Sequence, residues 1–442
     1  LNRERLTPTP ATARERPGPI RTDASNRFAH HTMRVRVPDI LRDLQQRNAD
    51  YAPLIHGALE ALRDEILGDR PPAPLALPAV DASAWSRALD DREGQGWLST
   101  DWFFAEAYFY RRILQATRFW ESGRDPYRPH KLEELGGEAP WQALGAALAL
   151  RDLPVEERLV ALCRAALWAN RVDLSYLVAA AQGGQGSDED LLTDHAPAAV
   201  ASLLAAPGEV HLIADNAGTE LLLDLALVDA LLAGPAPRVL LHVKMAPTFV
   251  SDATAADVRS TIATLEAAER PADVRALGQR LRQAFHDGRL GVHPGLYWNS
   301  HRFFFDMPAL LRQCLGSARL VISKGDANYR RVTGDALWPP ATPFPRVASY
   351  LPSPLLALRT LKSDSIVGLP EGTAARLDAE GDRWRSAGRY GVAQWSKFSG
   401  LKPPGAALVP LFFSQNGGPR PGPPSGCSCS PSAPHPRRRP PR

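Results

Sequence analysis

Cysteine is scarce in this 442-residue chain, with four thiols at positions 163, 314, 427 and 429. Cys163 and Cys314 fall inside apolar helical patterns, which suits free thiols better than a disulfide. Cys427 and Cys429 lie in a Gly/Pro/Ser segment without the further Cys or His that a zinc site requires. The pattern argues against a disulfide-stapled secreted domain and for a reducing compartment, cytoplasmic or nuclear. Long apolar runs are missing as well. None approaches the ~20 residues that span a bilayer, and no secretory h-region follows the N-terminus, so no membrane partner is expected. The Arg/Ser/Thr/Pro-containing start, which begins at Leu1 rather than Met, leaves an organellar transit peptide open. No glycine-rich phosphate loop follows a strand: Gly183-Gly184-Gln185-Gly186 follows a helical pattern and reads as a polar loop beside Asp188, Glu189 and Asp190. His30, His31, His293 and His301 show no metal-ligand spacing.

Lysine is the most telling shortage. Of 52 basic residues only six are lysine: Lys131, Lys244, Lys324, Lys362, Lys397 and Lys402. A chain so biased towards arginine keeps lysine where a compact ammonium is wanted. The remaining composition is ordinary, at 44% hydrophobic and 23% charged, enough to bury a substantial core. The net charge of +4 comes partly from the Pro-interleaved Arg437–Arg439 and Arg442, so no nucleic-acid partner is expected.

The chain divides by texture. Residues 1–26 are rich in Pro, Arg and Thr and read as an unstructured segment. Residues 27–207 place apolar residues at i, i+3 and i+4 in stretch after stretch, as in Phe103–Leu114 and Val155–Trp168, and read as a helical domain. From 208 the pattern alternates. Glu209–Asp215, Arg238–Lys244, Arg319–Ser323 and Leu355–Leu358 read as buried strands, with helices Thr219–Leu232 and Ala256–Ala268 between them. Residues 208–396 thus form an α/β domain, a doubly wound, mostly parallel α/β/α sandwich. Residues 397–442 read as a disordered Pro/Gly/Ser/Arg tail.

Ligands of open α/β sheets bind beyond the carboxyl ends of the strands. There this sequence sets Asp215-Asn216, Gly218 and Glu220; Lys244 and Ser251-Asp252; Lys324-Gly325-Asp326-Ala327-Asn328-Tyr329-Arg330; and Arg359-Thr360-Leu361-Lys362. Each alone is compatible with a turn or helix cap. Together, at one sheet edge, carboxylates, an amide and lysines are the inventory for a hard cation beside a phosphate.

These motifs resemble the damage-control phosphatase family of metal-dependent sugar-phosphate phosphatases. The likeness is to its eukaryotic branch with an Arg-Thr-x-Lys signature, here Arg359-Thr360-Leu361-Lys362, which includes a protein described as an acidic-residue methyltransferase. It runs from about Arg27 to Trp395 and takes in Trp102–Arg112, Trp168–Ser175, Phe249–Asp252 and Gly388–Gly391. The resemblance implies that Asp215, Asn216 and Asp252 hold a divalent metal, Mn2+ or Ni2+, with Co2+ or Mg2+ as substitutes. It implies that Asp215, Asn216, Asp326, Ala327, Asn328, Tyr329, Arg330 and Lys362 hold a small phosphorylated metabolite of the fructose 1-phosphate or fructose 6-phosphate kind. Asp215 and Asp252 are the expected catalytic residues, either by water activation or through an aspartyl phosphate. In the alternative, an S-adenosylmethionine-dependent protein-glutamate O-methyltransferase, Glu220 and Asp252 would bind the methyl donor. The sparse glycine after the first strand fits that cofactor poorly.

Overall fold

The computed structural model describes residues 15–169 and 188–397. These described residues belong to one compact unit. Its centre is a seven-stranded sheet: β1 (Leu191–Asp194), β2 (Val210–Ile213), β3 (Val239–Lys244), β4 (Leu290–Gly295), β5 (Leu320–Lys324), β6 (Leu355–Thr360) and β7 (Gly391–Ser396). The spatial order is β1-β7-β6-β5-β2-β3-β4. β6-β5-β2-β3-β4 run parallel, and β7 pairs antiparallel with β6 and parallel with β1. The fold class expected from the alternating texture is the one observed.

Every residue of β2, β3, β5 and β6 is buried, because helices cover both faces. Alternate side chains divide between two cores. Val210, Leu212, Val239, Leu241, Leu320, Ile322, Leu356 and Leu358 face one; Ile213, Val321, Leu355 and Ala357 face the other with Trp298, Phe304 and Tyr329. The first face carries α3 (Val155–Trp168), α4 (Thr219–Ala233), α5 (Ala255–Leu265) and α6 (Ala272–His286); the second carries α7 (Ala309–Gly316) and α8 (Asp326–Thr333). A third core gathers the aromatic helix α1 (Trp102–Ala116), and α2 (Arg128–Gly136) follows it in the chain. α4 is buried on all sides, so its three carboxylates, Glu220, Asp224 and Asp229, need partners. Asp229 takes a two-pronged pair from Arg280 at 2.9 and 2.8 Å, and Asp224 takes Lys324.

Two stretches depart from the texture-based divisions. Residues 139–207, expected in the helical region, contribute β1 and the helices Ala139–Ala149, Val155–Trp168 and Ala196–Ala205 to the first core of the sheet. Alanine-rich helical repeats look alike whether they pack on helices or on a sheet, so composition does not separate them. Part of the leader is ordered. Ile20 and Thr22 are buried, and their N–H groups donate to Asp335 and Thr100 at 2.7 and 2.9 Å. The glycine run at 183–186, Cys427, Cys429, Lys402 and most of Trp168–Ser175 lie outside the described residues. Among the described residues no helix is long and apolar enough to cross a membrane.

Candidate active site

The carboxyl edge of β2, β3, β5 and β6 is shaped by backbone pairing between two loops. Asn216 and Asp252 form an antiparallel bridge. Ala253 N–H donates to Asp215 O at 2.8 Å and Ala217 N–H to Ser251 O at 2.7 Å. The three expected metal ligands are therefore fixed in one small patch before any side chain is considered. The approach to Asp252 is strained: Phe249 and Val250 both have positive φ, 48° and 68°. For a β-branched residue that is an outlier. Phe249 is held there by ring packing on Phe103 and Tyr110 of α1.

Asp215 and Asp252 are buried and Asn216 is half-buried. The amide is oriented by two contacts: Nδ2 donates to Glu220 Oε1 at 2.5 Å, and Oδ1 accepts from the Ser251 hydroxyl at 2.7 Å. Lys244 Nζ lies 3.1 Å from Asp252 Oδ2, yet neither atom has a well-aligned hydrogen bond, so that oxygen keeps a lone pair for another partner. Lys324 Nζ lies 2.8 Å from Asp224 Oδ1 and 3.4 Å from Glu220 Oε2. Burial, together with the negative charges of Glu220 and Asp252, pushes the Asp215 carboxyl well above the usual carboxylate range. Burial also raises Asp252, against the pull of Lys244, and pushes Asp224 up to about 6, against Lys324. Four buried carboxylates (Asp215, Glu220, Asp224, Asp252) thus face two buried ammoniums (Lys244, Lys324). The excess of two negative charges matches one divalent cation, and the carboxylate and amide oxygens of Asp215, Asn216 and Asp252 suit a hard one. The residues fit the expected metal.

Beside this patch a cavity of about 20 Å3 is lined by Asp215, Glu220, Lys324, Gly325, Asp326 and Lys362, among others. It has room for about one water. Gly325 (φ 84°) leads into α8, and a Cβ there would stand 1.9 Å from Asp215 Oδ2. Gly325→Ala is expected to displace Asp215, to cost about 1–3 kcal/mol of stability, and to lower phosphate release more than the stability loss explains. A thermal melt beside a turnover assay separates the two effects.

The expected substrate-binding run divides. Gly325, Asp326 and Ala327 are half-buried at the edge, but Asn328, Tyr329 and Arg330 turn inward. Asn328 Nδ2 donates to Lys324 O and Ala214 O at 2.8 and 3.2 Å. The Tyr329 hydroxyl donates to Gln394 Oε1 at 2.8 Å. Arg330 pairs with Asp335 and Glu106 at 2.7 and 2.6 Å and lies over the Trp102 ring at 3.8 Å. Asp326 receives Arg359 Nε at 2.8 Å, Lys362 N–H at 3.1 Å and the Ser363 hydroxyl at 3.0 Å. Although burial works the other way, Arg359 and Arg330 hold its carboxyl below the usual range. Asp326 therefore anchors the loop that carries Lys362, whose side chain forms no ion pair among the described residues.

Three participants were not anticipated. Lys131 of α2 donates to the Asp252 backbone O at 3.0 Å while paired with Asp125 and Asp257 at 2.9 and 2.8 Å. Glu134 accepts from the Thr219 N–H and hydroxyl at 2.8 and 2.7 Å, closing the start of α4. It passes so close to Gly218 (φ 68°) that a Cβ would meet it at 2.3 Å. Asp224 is the third. Its i, i+4 spacing from Glu220 puts both carboxylates on one helix face, a signal readable in sequence.

The fold and this edge define an α/β protein with a buried carboxylate–ammonium cluster at the strand ends. The chain belongs to the Damage-control phosphatase ARMT1-like domain family, whose description matches residues 30–377. It is 30% identical to Damage-control phosphatase ARMT1 of Danio rerio, over 84% of this chain and 94% of that protein. To the proteins of the same description from Xenopus laevis and Homo sapiens it is 30% and 28% identical, over 84% and 83% of this chain and 96% of each of theirs. A DUF89 family protein from Pyrococcus horikoshii is a more distant structural neighbour, with a TM-score of 0.45 and 14% identity over 84% of this chain and 99% of that one.

Proposed function

We propose that this chain is a metal-dependent phosphatase that releases phosphate from small sugar phosphates of the fructose 1-phosphate or fructose 6-phosphate kind. The observation that carries the proposal is the buried excess of two carboxylates over ammoniums in the cluster of Asp215, Glu220, Asp224, Asp252, Lys244 and Lys324 at the strand ends. Asp215, Asn216 and Asp252 would hold Mn2+ or Ni2+, which when bound supplies Lewis-acid polarisation and an activated water. The chain's own residues do the rest. Lys362 and the free N–H groups of the first turn of α8 favour the phosphate dianion at the same edge. Lys244 and Lys324 hold the carboxylates in place and pull against the burial that raises them. Glu220 fixes the amide of Asn216 so that its oxygen, not its nitrogen, faces Ser251.

Phosphoryl transfer is favoured over methyl transfer because Glu220, one of the two methyl-donor positions, is engaged by Asn216 and Lys324. A phosphate-release screen over sugar phosphates, with and without Mn2+ or Ni2+, tests the proposal on wild type and Asp252→Ala. Metal-stimulated release that Asp252→Ala abolishes is the expected result. Release without metal, or release unchanged in the variant, would overturn it.

A further inference from the structure

The histidines of the central strands form a second constellation, with His211 four residues before Asp215 on β2 and His242 two residues before Lys244 on β3. His211 and His242 project from the second face of the sheet, towards α7. His242 Nε2 lies 3.1 Å from His211 Nδ1. The Cys314 thiol of α7 joins them, so that two ring nitrogens and one sulfur all lie within 4.8 Å of one another. We propose that His211 Nδ1, His242 Nε2 and Cys314 Sγ form a site for one thiophilic divalent cation, Zn2+, separate from the oxygen-ligand site at Asp215.

Four observations support it. The first is spacing. Nitrogens each about 2.05 Å from a tetrahedral ion stand about 3.3 Å apart, and nitrogen and thiolate about 3.6 Å apart. The imidazole pair is already near that separation, and the sulfur, within 4.8 Å of both nitrogens, needs to close by no more than about 1.2 Å. The second is the tautomer. His211 Nε2 lies 2.8 Å from Glu209 Oε1, a pure acceptor, so Nε2 carries the proton and the neutral ring offers the Nδ1 lone pair. A carboxylate behind the imidazole is the usual support of a metal-ligating histidine. Glu209 is itself held by Arg238 at 3.3 Å and the Ser317 hydroxyl at 3.3 Å. The third is protonation: burial, with His211 and His293 beside it, keeps the His242 ring neutral. The fourth is access. His211 and His242 are buried, but Cys314 is half-buried, which leaves an entry route along α7.

Binding would leave a fourth position for water and cross-link β2, β3 and α7. The proton balance is explicit. The Cys314 thiol gives its proton to solvent as the sulfur–metal bond forms. The His242 proton moves from Nε2 to Nδ1, which frees the His242 Nε2 lone pair and also the His211 Nδ1 lone pair that had accepted the Nε2–H hydrogen bond. His211 lies four residues before Asp215, about 13 Å along the strand, and His242 is level with Ile213, two residues before Asp215.

The test uses the full chain carrying Cys427→Ser and Cys429→Ser, so that those two thiols cannot contribute. Stripped of metal and titrated with Co2+, it is expected to show a thiolate-to-cobalt charge-transfer band saturating at one equivalent and abolished by Zn2+. Cys314→Ser should remove the band and weaken Zn2+ binding on the order of 100-fold in chelator competition. Asp252→Ala should leave the band intact, which separates this site from the phosphatase centre. Independently of any change at Cys314, Zn2+ should slow its alkylation, read by peptide mass. Absence of a thiolate band, a band surviving Cys314→Ser, or unaltered alkylation would overturn the proposal.

Discussion

Asp215→Asn is expected to lower metal-dependent phosphate release by about 10²–10³-fold, the usual loss when one charge-stabilising group is removed from a preorganised site, while making the metal-free protein more stable. The two effects have one origin. Asp215 is buried against Glu220 and Asp252, and Lys244 and Lys324 pull the other way. Without a cation, the Asp215 carboxylate meets like charges in a water-poor site, and asparagine removes that repulsion while keeping the side-chain shape. With a cation present the order reverses. The wild type gains binding free energy on folding that the variant cannot match. Thermal melts in chelator should therefore rank the variant above the wild type, and melts in excess Mn2+ below it. A variant less stable in both conditions would mean that Asp215 is needed for packing and that the edge is not a metal site.

The sequence made the centre of this fold legible and its margins obscure, for a physical reason. β2, β3, β5 and β6 are buried on both faces, so each appears as an apolar run ending in a polar break such as Asp215 or Lys244. β4, β1 and β7 were not foreseen. β4 reads Leu-Gly-Val-His-Pro-Gly and lies at the sheet edge, where Pro294 is tolerated because one side of the strand has no neighbour. β7 keeps a buried Gln394 that looks polar in sequence but receives the Tyr329 hydroxyl.

At the site, the strand-end rule gathered Asp215, Asn216, Asp252 and Lys362, because topology alone carries those residues to one edge. The rule does not tell which side chains of the 326–330 run face outward. Arg330 turns inward to Glu106, 224 positions away in the chain, and no local pattern announces such a partner. Lysine scarcity was the more reliable guide. Lys131, Lys244 and Lys324 are buried in ion pairs around the cluster.

Lys324→Ala is expected to be the most damaging single change to stability, at about 3–5 kcal/mol, the range for stripping one partner from a buried ion pair. Its ammonium is buried between Asp224 and Glu220, and although burial works against the charge, those two carboxylates outweigh it and hold the group above its ordinary pKa. A folded-state ammonium raised in this way stabilises the fold at every pH below its unfolded value near 10, so the full contribution is present at neutrality. Its loss falls on Asp224, both of whose oxygens lack any other hydrogen-bond partner. In the wild type the Asp224 carboxyl titrates at about 6 against an ordinary value of 3.8. The folded state thus holds that proton after the unfolded chain has released it, and stability from this group falls as pH rises from about 4 to about 6. Without Lys324 the group is displaced further upward, so the same loss extends to higher pH. The deficit of Lys324→Ala should therefore be larger at pH 8 than at pH 5. Adding Asp224→Asn should recover part of it at pH 8 and little at pH 5, because the proton has already neutralised the site there. Denaturation of the four proteins at both pH values measures the coupling directly. A deficit independent of pH and of Asp224 would assign the effect to a lost side-chain volume instead of an unpaired buried charge.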